Sequence, residues 1–168
     1  MISSYRNLSS TLLLTALLSA CGGDDAGGED EDGAEAGATH AEALQALTVG
    51  ACAIGSCHGT SAQGDLQLAA ATNLRELLVG VKACEAPSLN LVEPGDPDKS
   101  WLWIKLTAEY GSGGKLKSES SWGASGNCAT NPGVGFGNRM PDVSPPTWTQ
   151  ANLDIVESWI KGGAPGPL

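Results

Sequence analysis

The 168-residue sequence predicts a mainly α-helical domain with long irregular loops, and three observations carry that expectation. Near the C-terminus, Leu153, Val156 and Ile160 recur at helical spacing with Ile155 and Trp159 beside them, between a Thr147-Trp148-Thr149-Gln150 capping box and a Gly162-Gly163 stop. In the middle, Leu74, Leu77, Leu78 and Val81 repeat the same three-four spacing. No stretch alternates apolar and polar residues with comparable strength, so strands are not expected to organise the core.

The chain begins with an export leader over residues 1–20, in which Arg6 precedes an apolar run from Thr11 to Leu18 and small residues follow. That run is too short for a mature membrane span. Leu18-Ser19-Ala20-Cys21 resembles the lipobox of bacterial lipoproteins, whose leader is cut before the cysteine and whose cysteine is lipidated. The resemblance implies a lipid anchor at Cys21 in the bacterial envelope, on the periplasmic or cell-surface side. Residues 21–39 are Gly/Ala-rich, lack any large apolar residue, and hold seven of the nineteen acids: Asp24, Asp25, Glu29, Asp30, Glu31, Asp32 and Glu35. Such a stretch cannot bury surface and is expected to be a disordered, self-repelling tether. Residues 40–168 form the domain. There, twelve acids face eight bases, a net charge of −4 that disfavours nucleic acid and electrostatic docking on anionic lipid.

Within the domain, Ala41 to Val49 is built mainly of helix formers and sets Leu44 and Leu47 on one side, with Gly50 as its stop. Asp65-Leu66-Gln67-Leu68 alternates briefly and is expected to be extended. Thr72 or Asn73 caps the helix of Leu74–Val81. Pro94-Gly95 makes a turn, after which Asp96 caps a helix with Pro97 at its first position. That helix puts Trp101 and Ile104 on one face and Leu102 and Leu106 on another, so it is expected to be largely buried. Residues 109–136 are rich in Gly and Ser and show no periodicity. An irregular loop of this length inside a compact domain needs a covalent tie or a function.

The cysteines divide in a useful way. Lipidation of Cys21 leaves Cys52, Cys57, Cys84 and Cys128, an even set in a compartment that permits disulfides. If all four pair, three connectivities are open. If Cys52 and Cys57 are otherwise engaged, Cys84 and Cys128 remain and would tie down the long loop.

Cys52-Ala53-Ile54-Gly55-Ser56-Cys57-His58-Gly59 gathers two thiols and an imidazole in a chain with only two histidines. Two cysteines with a histidine directly after the second is the arrangement of c-type haem attachment, although four residues separate the thiols here where two are usual. The same residues also suit a small disulfide loop with His58 as a solvated turn residue. Further along, Gly137-Asn138-Arg139-Met140-Pro141 offers a thioether in a glycine-rich loop stiffened by proline, a suitable soft axial ligand, or simple packing.

The order of these pieces resembles that of class I cytochromes c: a helix, two cysteines with a histidine, helices, a Met-Pro loop and a terminal amphipathic helix. It resembles more closely still the planctomycete-type cytochrome c domain of exported bacterial proteins. The shared pieces are Cys57-His58-Gly59, Val92-Glu93-Pro94-Gly95-Asp96-Pro97 running on to Ser100, Leu102 and Lys105, then Met140-Pro141, and Trp159-Ile160-Lys161-Gly162-Gly163-Ala164. The resemblance spans about residues 45–165. It implies a cytochrome c-like fold, haem c bound through thioethers at Cys52 and Cys57, iron ligation by His58 and Met140, and a Cys84–Cys128 disulfide. The implied role is electron transfer to a redox partner protein, not enzymatic catalysis. The alternative is a haem-free, disulfide-stapled lipoprotein module that binds a protein or ligand.

Other chemistries fit the residues less well. A blue-copper centre needs two histidines with its cysteine, and His40 stands at the edge of the tether. Cys84 and Cys128 lack the paired spacing of a structural zinc site. Adjacent Cys57 and His58 point apart along the chain, which does not suit a nucleophile and its base. No G-x-S-x-G or G-x-x-x-x-G-K motif occurs. Trp101, Trp103 and Trp159 are expected in the core, with Trp122 and Trp148 either lining a crevice or covering the loop.

Overall fold

The computed structural model describes residues 37–49, 52–117, 119–142 and 148–168. The leader, Cys21, most of the acidic stretch, Gly50 and Thr147 lie outside the described residues. Those described are helix-rich, and their β-pairing consists of isolated bridges.

Helix α1 covers His40–Val49. Its start is fixed by a reciprocal cap that the sequence spells as Thr-x-x-Glu. Thr39 N–H donates to Glu42 Oε2 at 2.8 Å, and Glu42 N–H donates to Thr39 Oγ1 at 3.3 Å. One face buries Ala43, Ala46 and Leu47. Short helix α2, Leu74–Leu78, begins where Asn73 accepts from the backbone N–H groups of Arg75 and Glu76. It ends earlier than the apolar spacing suggests, because the chain is already extended at Val79, where it bridges to Val92, and turns at Gly80 with a φ of 72°. Val81 therefore leaves the buried face and is 40% exposed. His40, which the sequence marks only as a residue at the edge of the tether, is buried: its Nε2 accepts from Leu74 N–H at 3.0 Å and joins the starts of α1 and α2.

Asp96 caps a 3-10 turn, Pro97–Lys99, and helix α3 proper starts after it, at Trp101–Thr107. The two faces of α3 enter different apolar clusters. Trp101 and Ile104 join Ala83, Ala86, Leu116 and Trp122, while Leu106 joins the main core with α1, α2 and α4. In the smaller cluster Trp101, Trp122 and Phe136 meet with ring centroids 5.4–5.7 Å apart, and the two contacts of Trp122 are edge-to-face. Trp122 thus belongs under the long loop. Trp148 packs beside the main core.

Helix α4, Gln150–Lys161, is capped by Thr149, whose side chain accepts from Asn152 N–H. It packs on α1 and buries Val156, Trp159 and Ile160, each worth about 1.5–3 kcal/mol of transfer free energy. Beyond its end Arg75 Nη1 donates to the carbonyls of Gly163 and Ala164 at 3.0 and 2.8 Å, tying the segment after α4 to α2. Residues 109–136 are irregular, with 3-10 turns at Ser112–Gly114 and Ser120–Trp122. Ties to earlier parts of the domain hold the segment. Cys84 and Cys128 form a disulfide with Cα atoms 5.0 Å apart, Gly126 N–H donates to Glu85 O, and Asp65 accepts from Ala129 and Thr130 N–H at 2.8 Å each. Asp65 ends a 3-10 turn, Gln63–Asp65, and only from Leu66 onward is that stretch extended, with Leu66 and Leu68 buried on either side of exposed Gln67.

Candidate functional site

The segment after α1 folds into a compact loop because its backbone groups pair with one another. Cys57 and Gly59 N–H both donate to Ile54 O, at 3.0 and 2.9 Å, and His58 N–H donates to Cys52 O at 3.0 Å. This winding brings the backbone of Gly59 against that of Ala53 and Ile54. A Cβ at position 59 would lie 2.6 Å from Ile54 O and 2.8 Å from Ala53 O, so only glycine fits after His58.

His58 is locked by the extended stretch that follows. Its own carbonyl accepts from Leu68 N–H at 2.6 Å, and its Nδ1 sits 3.2 Å from Leu66 O. A carbonyl can only accept, so Nδ1 carries the proton and Nε2 keeps its lone pair. Burial pulls the imidazole pKa below its ordinary value, against the raising influence of the Leu66 and Gln63 carbonyls. The ring is neutral at pH 7 with Nε2 as its donor atom. A second hydrogen bond that fixes the tautomer in this way is the usual support for a metal-binding histidine.

Cys52, Cys57, His58 and Met140 all line one cavity of about 410 Å³. Its apolar wall is built by Leu47 of α1, Leu66 and Leu68, Leu91, and Leu102 and Leu106 of α3. Met140 reaches it from the opposite end of the sequence, its loop anchored where Met140 N–H donates to Lys105 O at 2.7 Å. The polar side of the wall includes Ser56, Gln63, Asn131, Lys115 and Asp142.

The two cysteines of the loop are present as thiols. Burial pushes the Cys52 pKa up to about 11, countered in part by the Trp148 indole N–H and reinforced by Cys57. Cys52 is therefore held as the neutral thiol at pH 7, which argues against a role as a catalytic nucleophile. Cys84 also borders the cavity, but its sulfur is engaged with Cys128. For the same reason the cluster of Asp65, Cys84 and Cys128 is no metal site in the oxidised protein.

The sequence gives no hint of a buried ion pair in the same wall. Lys105 Nζ stands 2.9 Å from Glu85 Oε2, with both side chains under a tenth exposed. Glu85 also accepts from Trp101 Nε1 at 3.0 Å, and Lys105 donates to Phe136 O at 3.0 Å. Burial pulls the Lys105 pKa down while Glu85 holds it up, and both charges lie close enough to His58 to influence its titration. Lys105 is readable in the sequence only as one position of a motif. Glu85, twenty residues earlier, carries no periodic or motif signal. Cys21 lies outside the described residues.

No family model matches the chain, and neither the curated proteins nor the solved structures contain a match to it.

Proposed function

We propose that this chain is an extracytoplasmic electron carrier that holds a covalently attached c-type haem in the cavity beside α1 and α3, within a cytochrome c-like arrangement. The observation that carries the reading is the convergence of Cys52, Cys57, His58 and Met140 on one apolar-walled cavity from two distant parts of the sequence. The donor set fits the group: two thiols able to become thioethers, an imidazole with its lone pair on Nε2, and a second soft ligand in Met140. When bound, haem supplies a one-electron couple between ferric and ferrous iron.

The rest of the work falls to the chain. Cys52 and Cys57 would hold the macrocycle, and the Leu66 carbonyl orients His58. Leu47, Leu66, Leu68, Leu102 and Leu106 give the cavity an apolar wall that would keep water from a bound haem. His58 and Met140 are the residues that would hold the iron, and a group held by both would supply electron transfer, not turnover of a bound molecule. The lipid on Cys21 and the acidic stretch after it would hold the carrier at a bacterial membrane within reach of a redox partner protein. Met140→Ala tests the reading. It should lower the reduction potential and admit small ligands to the iron; an unchanged spectrum and potential would remove Met140 from the site.

A further inference from the structure

Lys105 grips the loop of Met140 at two points. Its backbone carbonyl accepts from Met140 N–H at 2.7 Å, and its ammonium donates to Phe136 O at 3.0 Å, four residues earlier in the same loop. The ammonium is fixed in turn by Glu85 at 2.9 Å, and Glu85 by the Trp101 indole. The loop lies directly on this pair. A Cβ at Gly137, where φ is 68°, would lie 2.5 Å from Glu85 Oε1 and 2.8 Å from Lys105 Nζ. Arg139 adds a parallel hold, its Nε donating to Leu106 O at 3.2 Å.

A buried ion pair is a poor way to gain stability, since apolar residues of the same size usually do as well or better. Its value lies in directing geometry where secondary structure does not. Residues 136–140 contain no helix; a bridge at Asn138 and the bonds from Leu116 N–H to Gly137 O and from Arg139 N–H to Gly114 O hold one side of the segment, and the Glu85–Lys105 pair lies against the other.

We propose that Glu85 and Lys105 form a clamp that positions Met140 in the cavity, with Lys105 the positioning residue. The claim rests on the electron-carrier reading for its purpose, but its geometry stands apart from it.

The test is the double variant Glu85→Gln with Lys105→Met, which removes both charges together and leaves neither unpaired. In the full chain prepared without haem, amide exchange in residues 136–142 should quicken at least tenfold while α1 and α4 keep their protection. Peroxide oxidation of Met140, followed by mass, should quicken with it. In the haem-loaded chain the variant should lose the His/Met spectroscopic signature and show a lowered potential, as a purely structural pair would not require. Gly137→Ala, which keeps both charges but pushes the loop off them, should loosen the same segment and serves if the double variant does not fold. A folded variant with unchanged exchange and oxidation would overturn the clamp, whether or not the protein carries haem. A chain that never carries haem would sink the electron-carrier reading and leave the exchange measurement able to decide the clamp.

Discussion

Replacing Gly59 with alanine tests whether the Cys52–His58 loop is wound as described. The added Cβ would meet Ile54 O at 2.6 Å, the Ile54 carbonyl carbon at 2.7 Å and Ala53 O at 2.8 Å. All three are backbone atoms, so no side-chain rotation relieves the contact. The loop must open, and the bonds from Cys57 and Gly59 N–H to Ile54 O are the first to stretch. Overpacking of this kind costs about 1–3 kcal/mol, and each weakened hydrogen bond adds about 0.5–1.5 kcal/mol. The expected loss is about 3 kcal/mol, which for a domain of this size lowers the melting temperature by roughly 10 °C. The same opening pulls Cys57 and His58 out of register with Cys52, so on the electron-carrier proposal the yield of covalently attached haem should fall with it. Thermal unfolding followed by circular dichroism measures the first effect, and pigment per mole of protein measures the second. A variant that melts within a degree or two of the parent and carries as much pigment would refute the loop geometry.

Removing the disulfide with Cys84→Ser and Cys128→Ser releases a closure between residues 44 apart, worth about 4 kcal/mol in unfolded-chain entropy; an unchanged urea midpoint would show that the bridge does not form. In chain prepared without haem, iodoacetamide at pH 8 should modify Cys57 well before Cys52, since Cys52 is the more buried of the two and burial pushes its pKa up to about 11. Equal rates would place Cys52 at the surface. Asp65 is held below its ordinary 3.8 by the N–H groups of Ala129 and Thr130. Its contribution is complete above about pH 3.8 and is lost as pH falls through the lower folded-state value. Asp65→Asn should therefore flatten the acid limb of the stability profile, and an identical limb would contradict the tie between residues 65 and 129–130.

The helices were legible where one residue pattern answered to one buried face. Val156, Trp159 and Ile160 announce α4 because their spacing matches a single contact with α1 and the main core. The same spacing overstates α2, because the chain leaves the helix at Val79 to bridge to Val92, a distant pairing that periodicity does not register. The start of α1 was written in Thr39 and Glu42, a signal that helix-former content alone passes over. For the site, Cys52, Cys57, His58 and Met140 stood out because each is rare in the chain and chemically distinctive. Glu85 did not, since a carboxylate becomes informative only when the fold buries it beside Lys105. The Trp101–Trp122–Phe136 cluster escaped for a similar reason: it joins a helix to two points of a loop whose sequence has no period.

The central claim is that Cys52 and Cys57 carry haem, and the intact mass and denatured absorption spectrum of protein purified from its own source address it most directly. The account predicts a haem mass that survives denaturation, together with a reduced α-band. A colourless protein whose mass shows two disulfides would contradict it, leaving the helices and the Cys84–Cys128 bridge as they are and ending the case for electron transfer.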